Sequence, residues 1–158
     1  LEVEAGRYVL RQFLEGPYYQ PLTKEALKRN RDPMKRDRTL RARSHVQKLE
    51  AVTAFTETDG QFEVIIDITG TENVPIAVEL AFRHGGQLKG VEAVPGLSDT
   101  FLLRNGFGQY GYENQVIEFG PGQVEHTWTQ LHGALPKWDG LSVYLTGFTP
   151  FKVTLKIT

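Results

Sequence analysis

The chain has 158 residues, 40% of them hydrophobic, 11% aromatic and 23% charged, with a formal charge of −1. That is the balance of a globular domain able to bury roughly 70% of its unfolded surface, and it excludes a disordered tract, a membrane-spanning protein and a nucleic-acid-coating one. Cysteine is absent, so disulfides and thiol chemistry fall away, while the compartment stays open between the cytosol and a secreted or periplasmic location.

The chain opens at Leu1 without an initiator Met or a signal segment, and reads as a domain or mature fragment of something longer. Residues 7–14 alternate weakly and end at Gly16-Pro17, which predicts an edge strand or a lead-in docked on a sheet. Residues 23–30 offer the one helical start, broken by Asp32-Pro33. Residues 46–57 predict a long strand closed by Asp59-Gly60, a hairpin turn.

The strongest pattern follows. Phe62, Val64, Ile66 and Ile68 share one parity, as do Ile76, Val78, Leu80 and Phe82, with a turn-rich stretch between them. A gap too short for a helical crossover predicts a two-stranded antiparallel unit with one face buried. Further strands are expected at 87–94, 100–104, 109–112, 115–119, 124–131, 141–146 and 151–157, with Gly, Pro or Asn-Gly in nearly every gap. In the last of them Lys152, Thr154 and Lys156 alternate with an apolar face, as on an exposed or edge strand.

This spacing predicts an all-β fold: a two-sheet antiparallel β-sandwich, jelly-roll-like, of about ten strands. A basic irregular or short helical segment precedes it. The expected division is a lead-in strand and basic connector over 1–45 and the sandwich over 46–158.

Charge is unevenly placed. Between residues 24 and 50 there are ten Lys or Arg against four Asp or Glu, so the rest of the chain is acidic. Such a run reads as a solvated connection lying over acidic surface or docking on another domain of the same parent chain. As a polyanion contact it lacks interleaved aromatics, and with a pI of about 6.5 nucleic acid is not the expected partner. An acidic polysaccharide fits the charge equally well.

No self-sufficient catalytic motif is present. His126 and His132 share a strand parity, but six extended residues separate them by roughly 20 Å, too far for one ion. No His-x-His pair occurs and His84 stands alone, so neither a metal nor another cofactor is expected. Glu63, Asp67 and Glu79 fall on outward faces, where Arg83 would neutralise one of them; alternating charges are how a half-buried strand pair stays hydrated. There is no Gly-x-Ser-x-Gly elbow, and Ser44, Ser98 and Ser142 are the only serines. The glycine clusters open no helix, so they read as turns rather than phosphate loops.

Aromatic residues are the remaining functional clue, since β-sandwich modules bind sugars by stacking rings on exposed Trp or Tyr. Phe107, Tyr110 and Tyr112 lie in a Gly-punctuated stretch, and Trp138 lies in the turn sequence Leu135-Pro136-Lys137-Trp138-Asp139-Gly140. These four form the expected sugar platform, led by Trp138. His126, His84 and Arg83 are the polar candidates. Trp128 shares parity with Val124 and His126 and is expected to point inward.

Four stretches carry a family resemblance: Arg83-His84-Gly85-Gly86, Phe101-Leu102-Leu103-Arg104, Ile117-Glu118-Phe119-Gly120-Pro121-Gly122 and Tyr144-Leu145-Thr146-Gly147-Phe148-Thr149-Pro150-Phe151. Together they resemble C-terminal β-sandwich modules of bacterial proteins related to the heparinase II/III polysaccharide lyases. The resemblance covers the C-terminal half and implies a sandwich that supports a catalytic toroid or lines its substrate cleft. No toroid is present in this chain, so no catalytic residue carries over. The leading expectation is a non-catalytic accessory domain of a polysaccharide-degrading protein. An autonomous glycan-binding module and a lyase or hydrolase part contributing cleft residues are the alternatives, separated by which aromatic and histidine side chains are exposed together.

Overall fold

β-branched and aromatic residues alternating with polar ones commit most of this chain to extended structure. The computed structural model describes residues 1–4, 6–29, 41–131 and 136–158, and twelve strands with one short helix are found there. They are β1 (Glu2–Glu4), β2 (Arg7–Tyr19), α1 (Lys24–Arg29), β3 (Arg43–Thr58), β4 (Gln61–Gly70), β5 (Pro75–Phe82), β6 (Gln87–Lys89), β7 (Glu92–Ala93), β8 (Thr100–Leu102), β9 (Gly108–Tyr112), β10 (Gln115–Gly120), β11 (Leu141–Phe148) and β12 (Phe151–Ile157). The larger sheet runs β1-β2-β3-β4-β12-β10-β9-β6 and the smaller β5-β11-β8-β7. The protein is thus all-β, a two-sheet sandwich as expected, with two strands more than the predicted ten. One pairing, β8 with β11, is parallel.

The 61–83 pattern holds its parity but not its partner. β4 pairs with β3 and β12, whereas β5 pairs with β11 in the other sheet. The two strands therefore form an arch between sheets rather than a hairpin within one. Val64, Ile66 and Ile68 point in from one sheet and meet Ile76, Val78 and Leu80 from the other, around Leu145, Phe151, Val153 and Leu155. Period two fixes which side of a strand is buried and is silent on which strand lies beside it. Phe62 is the exception to the expected core and stays 46% exposed at the end of β4.

The arch is held by a second one. β11 and β12 also cross between sheets, and their turn hydrogen-bonds the β4–β5 loop through buried Thr149. Asn73 N–H donates to Thr149 O at 2.8 Å, Val74 N–H to Thr149 Oγ1 at 2.9 Å, and Thr149 N–H to Val74 O at 3.0 Å.

Both faces of β11 are covered. Val143 and Leu145 face the sandwich interior, while Tyr144 packs with Val94, Leu102, Leu131, Leu97 and Val124 on the far side. Apart from Leu102, on the neighbouring β8, that cover is irregular chain. The expected strand at 124–131 is reduced to a parallel bridge between Val124 and Thr146, and residues expected as one strand over 87–94 split into β6 and β7 in different sheets. Gly90, at φ +73, makes the turn between them that a single strand could not.

Tyr144 donates its hydroxyl proton to Glu79 Oε1 at 3.0 Å. Burial first, then this bond and the carboxylate charge, push its phenol up from 10.0 to about 12. A folded pKa above the unfolded one means that the neutral phenol stabilises the fold fully below pH 10, and that this stabilisation is lost as the pH rises from 10 through about 12. The urea midpoint of the wild type should therefore fall over that interval more steeply than that of Tyr144→Phe. Equal slopes would show that the phenol does not titrate against the fold.

The expected division at 45/46 falls inside β3, which pairs with β2 along its length. β2 is longer than predicted, running through Gly16-Pro17 with an irregularity between Gly16 and Tyr18. The helical start is seen as α1. Residues 30–40, with Arg36 and Arg38 of the basic run, lie outside the described residues, as does His132.

Candidate functional site

Leu141 pairs with Phe82 at one end of the smaller sheet, so the loop leaving β5 and the loop entering β11 emerge together. The first carries Arg83 and His84, the second Lys137, Trp138 and Asp139. His84 Nε2 lies 3.2 Å from Asp139 Oδ1. Lys137 Nζ donates to the carbonyls of Gly140 at 2.8 Å and Trp138 at 3.2 Å, pinning the turn from within. Trp138 is 54% exposed. Its indole lies across Gly140, where an added Cβ would come within 2.8 Å of Nε1; glycine at 140 is what lets the ring lie there. Pro-Lys-Trp-Asp-Gly thus builds an internally bonded turn that carries a half-exposed indole, followed in sequence by the carboxylate that meets His84.

The other expected platform residues divide. Tyr110 must be corrected: it is 5% exposed, its ring stacks on Phe82 with centroids 4.8 Å apart, and its hydroxyl donates to Arg83 O at 2.9 Å. Parity on β9 turns it into the core, and glycine punctuation carries no information about facing. Tyr112 is half-buried, its ring covered by the Arg83 guanidinium at 3.6 Å from the centroid. A cation on a ring face is favourable in itself and occupies the surface a sugar would use. Arg83 therefore sits on Tyr112 rather than on an outward carboxylate. Phe107 is 46% exposed, ahead of β9.

Beyond Gly85 a shallow groove of about 300 Å³ opens on the outer face of the larger sheet, lined by Gln87, Lys89, Gln109, Glu113 and Val116. Its amides and charges offer donors and acceptors without a buried acid. None of these residues was marked by the sequence, because polar residues on an outer strand face look alike until β6, β9 and β10 align them.

His126 lies at the opposite end of the β5–β11 pair. Its Nε2 is 3.1 Å from Ile76 O, and its ring packs 4.9 Å from Trp128 and 5.3 Å from Phe148. With Ile76 opposite Gly147 and Phe82 opposite Leu141, six residues of strand, roughly 20 Å, separate the two histidine sites. They cannot act as one. Trp128, expected inward, is 56% exposed, because residues 125–131 are not a strand and parity does not apply.

The carboxylates are also dispersed. Asp67 pairs with Lys152 at 3.1 Å on the outer face of one sheet, and Glu79 accepts the Tyr144 hydroxyl hydrogen bond on that of the other. The Arg104 Nε–H bond at 2.9 Å, with the charge behind it, holds Glu92 below the usual carboxylate range. Among the described residues no three His, Asp or Glu side chains gather as a metal-binding group. The fold defines the class as a β-sandwich with an exposed indole in the turn before β11. No family model, no curated protein and no solved structure matches the chain.

Proposed function

We propose that this chain is a non-catalytic accessory β-sandwich domain of a polysaccharide-degrading protein, and that it contacts glycan through the Trp138 turn. The observation that carries the reading is the half-exposed Trp138 ring, held against Gly140 beside the His84–Asp139 pair. A pyranose presents an apolar C–H face and an equatorial rim of hydroxyls. The indole face suits the first, and Asp139, whose side chain is fully open to solvent, accepts from the second while His84 steadies it. Gln87, Gln109 and Lys89 extend the polar contact along the neighbouring groove. The resemblance to modules of heparinase II/III-related lyases supports the same reading, with the catalytic groups in another part of the parent protein.

Titration of tryptophan fluorescence with a panel of neutral and acidic oligosaccharides tests it. A Trp128→Phe background leaves Trp138 as the sole reporter, since the chain has two tryptophans. Saturable binding to at least one oligosaccharide is expected. Asp139→Asn should weaken it a few-fold, and Trp138→Ala, followed by calorimetry, should weaken it about tenfold or more, since ring stacking is worth on the order of 1 kcal/mol beyond area. Binding that survives Trp138→Ala would refute the platform. Unsaturated or reducing-end product accumulating with purified wild type would overturn the non-catalytic reading.

A further inference from the structure

Residues 123–131 and 136–140, between β10 and β11, touch the smaller sheet at three levels. Val124 bridges Thr146 near one end of β11, Leu131 packs on Tyr144 at its middle, and Gly140 enters the strand at Leu141, its other end. Each end of this path carries a tryptophan. Trp128 lies against Phe148, Trp138 lies across Gly140, and both are more than half exposed. Rings of this size ordinarily bury most of their area, so two open ones on one strand pair are informative.

Trp128 rests on a bonded base. Its ring meets Phe148 edge-on, with centroids 5.8 Å apart and planes at 83°, and lies against His126. His126 donates its backbone N–H to Thr146 Oγ1 at 3.3 Å, accepts the Thr146 hydroxyl on its carbonyl at 2.6 Å, and turns Nε2 to Ile76 O. Thr146 is itself fully buried.

Between the two rings the outer face of β5 is low. Val94, Leu97 and Leu131 cover Tyr144 on β11, whereas β5 presents Ala77, Glu79 and Ala81, the last two exposed. Glu79 stands midway and accepts the Tyr144 hydroxyl at 3.0 Å. From the Ile76–Gly147 pair to the Phe82–Leu141 pair this strip runs six residues, roughly 20 Å.

We propose that the glycan taken by the Trp138 turn is a neutral oligosaccharide, long enough to lie along the outer face of β5 and stack on Trp128 at its far end. This rests on the glycan contact assigned to Trp138 above, and adds a length and a charge to it. Length follows from the spacing of the rings: one ligand held at the first is presented to the second at high effective concentration. Charge follows from the strip. Glu79 and Asp139 make it negative, while Arg83 is committed to the Tyr112 ring and Lys137 to carbonyls of its own turn. A uronate or sulfate would meet like charge there, whereas sugar hydroxyls donate to both carboxylates.

Calorimetry with the disaccharides and hexasaccharides of the cellulose, mannan and xylan series, and with the galacturonate hexasaccharide, tests both parts. In at least one neutral series the hexasaccharide should bind the unaltered chain about tenfold more tightly than the disaccharide. Trp128→Ala should bring the hexasaccharide down to the level of the disaccharide, and Trp128→Phe, which keeps a ring, should retain most of the gain. Circular dichroism confirms that both variants are folded. In Trp138→Phe, where Trp128 is the sole tryptophan, the hexasaccharide should shift the emission of Trp128. The galacturonate hexasaccharide should bind several-fold more weakly than the neutral one, with the gap closing as salt is raised. Trp138-dependent binding with equal affinity for both lengths, tighter binding of the acidic hexasaccharide, or a Trp128 signal unmoved at saturation would overturn this inference and leave the Trp138 contact standing. Absence of binding at any length would instead refute the Trp138 contact from which it starts.

Discussion

Replacing Leu145 by Ala should lower the stability of the domain by about 3 to 5 kcal/mol, the upper range for emptying a core site that cannot collapse. Leu145 is fully buried in β11 and packs with Val64, Ile68, Phe151, Val153 and Leu155. Those neighbours sit on β4 and β12, which are locked to each other from Phe62 to Ile157, and Val78 is fixed opposite Leu145 on β5. None of these backbones can move inward without breaking its own ladder, so the cavity persists. Against a total of roughly 5–15 kcal/mol for a domain, the loss is a large fraction. Urea unfolding should show a lower midpoint with an unchanged slope. Phe62→Ala, at a ring that is 46% exposed, should cost less than about 1.5 kcal/mol despite removing more atoms. If the two substitutions cost the same, the arch packing is wrong.

Parity was legible and partnership was not. The alternation at Val64, Ile66, Ile68, Ile76, Val78 and Leu80 correctly marks the buried faces, since a strand one residue out of phase would expose all of them. Whether two such strands pair side by side or face each other depends on what the loop between them bonds to. Here the decisive partner is Thr149, 75 residues beyond Val74. The same limit governs the site. Trp138 stood out because a large ring in a Pro-Lys-Trp-Asp-Gly turn has little to bury it. Asp139 and His84 are 55 residues apart, and their meeting depends on the Leu141–Phe82 register. Tyr110 and Trp128 failed in opposite directions: one lies on a true strand that turns it inward, the other on irregular chain where no parity exists.

The turn that carries Trp138 is attached to the most enclosed part of the scaffold. Gly140 and Leu141 continue directly into β11, the most buried strand, whose residues from Ser142 to Gly147 are all enclosed. The turn joins that strand at Gly140, and Lys137 bonds back across it to the carbonyls of Trp138 and Gly140. Internal bonding of this kind would lower the ordering cost of the sugar contact proposed above.

Gly70→Ala should be nearly as damaging as loss of a core side chain, at about 3 kcal/mol, although it adds one methyl at an exposed position. Gly70 ends β4 at φ +122, where the chain leaves one sheet for the other, and a Cβ there would lie 2.1 Å from Lys48 O. That oxygen cannot retreat, because it accepts the Thr71 N–H at 2.9 Å while Lys48 N–H is bonded to Thr71 Oγ1 at 3.0 Å. Strain from the backbone angle and a clash with fixed backbone therefore coincide. Gly96 separates the two causes: its φ is +78 but an added Cβ meets nothing within 4 Å, so Gly96→Ala should cost only the conformational part, about 1 to 2 kcal/mol. Urea midpoints for both variants decide it. A Gly70→Ala penalty no greater than that of Gly96→Ala would mean that the β3–β4 ladder yields at Lys48, and that the arch is not anchored there.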